Sequence, residues 1–178
     1  MATSPVTLVD RPYTGHPMLL GPDALSPETS TFWLHIGTAM LVGGAIGLER
    51  QIHGKEAGVR TSILICLGTE IFVALGASFP IHEADPTRVV GQVVTGIGFL
   101  GAGVILSREG RLVGVTTAAL IWMLAALGAM IGLGYLVAAL VITLVTLAAL
   151  TGVEKLDKLV KRDGRPRGSG TDLPPREE

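Results

Sequence analysis

Apolar residues come in five long runs, Thr31–Leu48, Thr61–Phe79, Pro86–Leu106, Val113–Ile131 and Leu133–Leu150, and nearly all charges lie in the short stretches between them. At 1.5 Å rise per residue, about 20 helical residues cross a hydrocarbon core of about 30 Å, so each run predicts a spanning helix of adequate or slightly short length. Gly132 and Gly134 interrupt the last two runs. They predict a tight helical hairpin, with a single bent helix as the alternative. The pattern gives an all-α, polytopic membrane protein with five transmembrane helices in a Gly-rich, tightly packed bundle. It divides into a flexible Pro-rich arm over 1–30, a transmembrane domain over 31–150 and a short basic tail over 151–178. Within the tail, Val153, Leu156, Leu159 and Val160 stand at helical spacing among charges. They predict an amphipathic continuation of the fifth helix along the membrane surface.

Charge adds an orientation. Twelve of the fourteen Lys and Arg fall on one side of the five-span arrangement, leaving only Arg11 and Arg88 on the other. The positive-inside bias then sets the N-terminus outside and the C-terminus in the cytoplasm. Composition agrees with a membrane chain: 48% of residues are hydrophobic and 16% charged. A net charge of −1 offers no concentrated basic surface, which excludes nucleic acid as the expected partner and leaves the lipid bilayer. No basic segment precedes an early apolar core, so no cleaved signal peptide is expected. One cysteine, Cys66, excludes an internal disulfide, and the four histidines show no paired metal-ligand spacing. No nucleophile constellation or phosphate loop stands out. Neither enzymatic activity nor a cofactor is expected.

The third run, Asp85–Leu106 with its approach DPTR, is oddly polar for a lipid-facing helix. On a helical wheel, Val89, Val90, Val93, Val94, Ile97, Leu100, Val104 and Ile105 fall on one side. Arg88, Gly91, Gln92, Thr95, Gly96, Gly98, Ala102 and Gly103 fall on the other, with Phe99 and Leu106 among the small residues and Gly101 among the bulky ones as exceptions. Small residues let membrane helices approach closely, so the expectation is bulky residues toward lipid and small ones toward protein. Gly43 and Gly47 form a GxxxG pair in the first helix, and Ala118, Trp122, Ala125, Ala129 and Gly132 line one face of the fourth. Both are expected helix contacts. Gly96–Gly101 also reads G-x-G-x-x-G, but the dinucleotide fingerprint needs a preceding strand, which a spanning segment does not supply.

Ionisable groups narrow the search further. Glu70 lies about 13 Å into the second run by helical rise, close to mid-membrane, where an acid is by default a candidate for proton or cation handling. Asp85 suits an N-cap with Pro86 at the first helical position. Arg88, on the same face as Gln92 and Thr95, requires a partner or water if it points into a bundle. An ion path near Asp85, Arg88, Gln92 and Glu70 follows as one functional reading. Glu49, Arg50 and Arg60 stand at the ends of the first two helices as interface charges, and Thr61 or Ser62 can cap the second helix.

Four stretches carry a resemblance: GGAIGLERQ at Gly43–Gln51, AGVRTSILICLG at Ala57–Gly68, DPTRVVGQVVTGIGFLGAGVIL at Asp85–Leu106 and VGVTTAALIWMLAALGAMIGLG at Val113–Gly134. In this order the chain resembles the MgtC/SapB family of bacterial inner-membrane proteins, in a short form without the cytoplasmic ACT-like C-terminal domain of longer members. The resemblance implies a five-helix membrane domain with a regulatory or accessory role in magnesium and membrane-energy homeostasis. It further implies another membrane complex such as an F-type ATP synthase as a partner, while the small-residue helix faces predict a homodimer. The positions matching the family motifs are Glu49, Arg50, Arg60, Asp85, Arg88, Gln92 and the glycines from Gly96 to Gly103. Glu70 departs from the family pattern. An ion carrier and a purely structural docking partner are the competing readings.

Overall fold

The computed structural model describes residues 25–78, 86–108 and 111–163. Within them the chain forms five helices, α1 (Ser30–Ile52), α2 (Val59–Ser78), α3 (Pro86–Val104), α4 (Val115–Gly132) and α5 (Leu136–Asp163). Two three-residue strands, β1 (Leu106–Arg108) and β2 (Arg111–Val113), pair antiparallel with Leu106 opposite Val113. Apolar periodicity could not reveal this hairpin, because strands this short carry too few alternations to register against the helical pattern around them.

Helix boundaries follow local chemistry. Thr29 caps α1 by accepting the Phe32 N–H at 3.3 Å, while its own hydroxyl donates to the Ser26 carbonyl at 2.8 Å. The start of α2 differs from expectation: the helix begins at Val59, so Thr61 and Ser62 lie inside its first turn. The cap comes instead from α1, where Gln51 Oε1 accepts the Val59 N–H at 3.4 Å. The break between α4 and α5 is a helical hairpin. Gly134 takes a φ of 82°, Gly134 N–H donates to the Ile131 carbonyl and Tyr135 N–H to that of Met130. These two bonds make a Schellman motif, which stops α4 and turns the chain. Beyond Leu150 the last helix runs on without a break to Asp163.

Three helices, α1, α2 and α4, are long and apolar enough to cross a membrane. Shorter apolar stretches run over Arg88–Val104 in α3 and Leu136–Gly152 in α5. Large apolar side chains such as Phe72, Phe99, Val137 and Leu144 stand exposed on the outside, as expected where lipid rather than water is the surrounding medium.

The second helix is the middle of the arrangement. It packs against α1 on one side and α4 on the other, with α3 laid mainly on α4 and α5 on α1 and α4. Ala39, Val42, Ile46, Leu124, Leu127 and Ile131 make the core where these helices meet. Glycine permits the closest approaches. A Cβ on Gly43 would stand 2.7 Å from the Ile63 Cα, and one on Gly47 2.6 Å from the Val59 Cα, so α1 and α2 touch backbone to backbone. Across the other face of α2, Gly128 meets the Cys66 carbonyl, and a Cβ on Gly132 would stand 2.6 Å from the Glu70 carbonyl.

The third helix departs from the wheel-based expectation. Val89, Val90, Val93 and Ile97 are its half-buried residues, while Gly91, Gln92, Thr95, Gly96, Gly98 and Gly103 are exposed. Within the chain it is therefore the bulky face that meets protein. The reason is a knob-and-socket fit: α2 supplies the glycine, Gly76, and α3 supplies the side chain, Val89, that fills the space beside it. Two of the exceptions on the wheel had carried this information. Gly101 is buried against Ala118, and Phe99 is 81% exposed. Similarly, Trp122 on α4 is exposed rather than buried and lines the groove between α3 and α4.

Candidate functional site

The antiparallel register of α1 and α2 is fixed by the two glycine contacts, Gly47 at Val59 and Gly43 at Ile63. Continuing two turns along both helices brings His35 opposite Glu70. Their side chains lie 3.4 Å apart, Nδ1 to Oε1, and both are almost fully removed from the surface. The pair can stand as imidazolium and carboxylate or as neutral imidazole and carboxylic acid, and passage between the two forms needs only one proton moved between the two side chains. Both His35 ring nitrogens and Glu70 Oε2 have no hydrogen-bond partner. Buried polar atoms left in that state cost about 1–3 kcal/mol each, so the site holds unused bonding capacity in the middle of a bundle.

His35 was not singled out from sequence. It lay among four scattered histidines, none of them spaced as a ligand pair. The signal was present in a different form: a GxxxG contact sets the register of a helical hairpin, and that register, counted outward, pairs position 35 with position 70. Cys66, Thr69, Val73 and Ala74 share the buried side of α2 with Glu70. Among the described residues, no group of three or more His, Cys, Asp and Glu is placed to hold a metal ion.

Glu70 and the polar residues of α3 are not brought together. Gln92 lines a groove between α2 and α3 of about 510 Å³, opposite Thr69, Phe72 and Leu64. Glu70, one position along from Thr69, turns the other way, toward α1. Arg88 is exposed at the start of α3, and Thr95 is exposed with its hydroxyl donating to the Gly91 carbonyl at 3.0 Å. Asp85 and its expected capping role lie outside the described residues, as do the arm before residue 25 and the tail beyond residue 163.

At the opposite end of α1 a second polar cluster forms. Glu49 is 8% exposed and Arg50 3% exposed. Arg50 Nη1 lies 3.7 Å from Glu49 Oε2, and His53 Nδ1 lies 3.2 Å from Glu49 Oε1. Arg50 and His53 share one carboxylate. Arg60 is exposed instead, at the rim of a shallow groove with Gln51 and Thr61.

Comparison with known proteins places the geometry in a lineage. Residues 36–159 match the MgtC family. The chain is 45% identical over 113 residues to the putative magnesium transporter YhiD of Escherichia coli K12, covering 60% of this chain and 53% of that protein. It is 44% identical over 117 residues to MgtC of Salmonella typhimurium, covering 65% and 49% respectively. To SrpB of Synechococcus elongatus it is 43% identical over 135 residues, covering 68% and 74%. It thus spans about half the length of the YhiD and MgtC relatives. No solved structure matches the chain.

Proposed function

Because the chain belongs to the MgtC family, we propose that it is a five-span protein of the bacterial inner membrane with a regulatory or accessory role in magnesium and membrane-energy homeostasis. It acts by docking on a second membrane protein. The observation that carries this reading is the open face of α3, where a Cβ at Gly91, Gly96, Gly98 or Gly103 would meet nothing within 4 Å. Small residues together with Thr95, bordered by Gln92 at the α2–α3 groove, form the kind of surface on which membrane helices associate. A second copy of the chain is the first occupant, giving a homodimer, and a complex such as an F-type ATP synthase is the next. The relatives' printed names support the magnesium connection. Lys and Arg distribution supports an outside N-terminus and a cytoplasmic C-terminus.

Single cysteines at Thr95 and Gly98, in a Cys66→Ser background and in native membranes, test the docking face. Cross-linking to a second copy or to one defined membrane partner is expected. Free access to a lipid-phase label, without cross-linking, would remove the proposal. A cysteine at position 165 should react only from the cytoplasmic side, and labelling from outside would reverse the orientation.

A second reading, an ion or proton carrier, is favoured by the His35–Glu70 pair. In liposomes it requires a cation or proton flux that Glu70→Gln abolishes. Flat traces from a folded protein would leave the accessory role alone.

A further inference from the structure

The basic end of the bundle contains a cavity that neither reading uses. It has a volume of about 720 Å³ and lies between the end of α1, the start of α4 and the middle of α5. Arg50 and Lys55 line it on one side, and Gly114, Thr116 and Thr117 on another. The rest of the wall is apolar, with Met123, Val145 and Leu150 among its residues.

Three observations concern its polar half. Arg50 is 3% exposed, yet its Nε has no hydrogen-bond partner. Among the described residues its carboxylate neighbour is Glu49, which stands at 3.7 Å from Nη1, beyond hydrogen-bond distance, and is shared with His53. The Lys55 N–H donates to the Arg50 carbonyl at 3.0 Å, which holds the two cationic residues beside each other. Finally, α4 starts without a side-chain cap and without an acid in its first turn. Its leading residue, Gly114, has a φ of 85° and lies against the Val104 carbonyl, so the end of α3 fixes where α4 begins. An uncapped helix N-terminus offers free N–H groups and about half a positive charge, and these add to the Arg50 and Lys55 charges.

We propose that this cavity binds a phosphate group, held by Arg50, Lys55 and the first turn of α4. Guanidinium, ammonium and helix N–H donors are the groups that recognise phosphate oxygens. A phosphate ester of a membrane lipid satisfies both halves of the wall, its headgroup against Arg50 and Lys55 and its acyl chains along Met123 and Val145. A free phosphate uses the polar half alone.

The test uses the full chain in nanodiscs of phosphatidylcholine with or without phosphatidylglycerol, followed by native mass spectrometry of the released protein and by thermal unfolding. Phosphatidylglycerol is expected to be retained in preference to phosphatidylcholine. Retention should fall about fivefold in Lys55→Gln, the effect of removing one basic residue at an anionic surface. Ala149→Trp fills the apolar half of the cavity and should displace the lipid while leaving the charges in place. A rise in unfolding temperature with inorganic phosphate, against chloride at equal ionic strength, without lipid retention assigns the site to a soluble anion. The proposal is overturned if the wild type neither retains phosphatidylglycerol nor responds to phosphate, or if Lys55→Gln and Arg50→Gln both retain phosphatidylglycerol as the wild type does. Should Arg50→Gln fail to fold, Lys55→Gln and Ala149→Trp decide the matter, and wild-type retention in both overturns it.

Discussion

Glycine does opposite things on the two sides of α2. Toward α1, Gly43 and Gly47 remove side chains so that two backbones meet. Toward α3, the glycine at the contact belongs to α2 itself, while a Cβ on any of the four α3 glycines at positions 91, 96, 98 and 103 would meet nothing of this chain within 4 Å. The first interface is closed, and the second helix face is left open. A glycine stripe therefore marks where a backbone can be approached. It does not say by what, and the open face of α3 leaves room for an approach from outside this chain.

The sharpest way to break the closed side is to remove half of the buried pair. His35→Leu leaves Glu70 without its partner, and an unsatisfied buried polar group costs about 1–3 kcal/mol, more where it carries charge. A large fall in unfolding temperature in detergent is expected, with most of it restored in the His35→Leu, Glu70→Leu double variant. Failure of the second substitution to rescue the first would show that the two side chains do not act as a pair. Next in size is Gly128→Leu, which drives a side chain into the α2 backbone at Cys66. Overpacking costs about 1–3 kcal/mol, more where the obstacle is backbone, and hydrogen exchange should show α2 and α4 opening together.

On the open side the same kind of change should behave differently. Gly98→Leu places a side chain where nothing stands within 4 Å, so stability should move by no more than about 0.5 kcal/mol. Association with a second copy, followed by cross-linking or single-molecule photobleaching, should nevertheless be lost. A folded, fully dimeric Gly98→Leu would place the interface elsewhere. Smallest of all, Thr95→Val removes a hydroxyl already bonded to its own helix and should change stability by a few tenths of a kcal/mol or less.

How far these features could be read from sequence depends on the range of the interaction. Helix positions came through well, since hydropathy over some twenty residues is a long local signal. The break at Gly132–Gly134 was likewise visible, because the Schellman turn uses glycine at a backbone angle other residues avoid. Side-chain partners across helices were harder. Glu70 stood out as an acid in an apolar run, but His35 could be attached to it only through the register that Gly43 and Gly47 impose. For α3 the wheel correctly separated two faces, but within the chain it is the bulky one that packs, because periodicity shows that a helix has two sides without showing which side its own chain occupies. Arg50 looked like an interface anchor, and that it lines one cavity with the distant start of α4 is encoded in no local pattern.

The His35–Glu70 contact also bears on how the protein is made. An acid at the centre of a span costs a few kcal/mol to insert when it enters alone. Here its partner lies on the preceding helix, joined through residues 53–58 only. The first two helices therefore gain by leaving the translocon as one hairpin, with the acid already matched before lipid surrounds it. Lengthening that short connection should delay the pairing and lower the yield of inserted protein, although no contact in the finished bundle would have been touched.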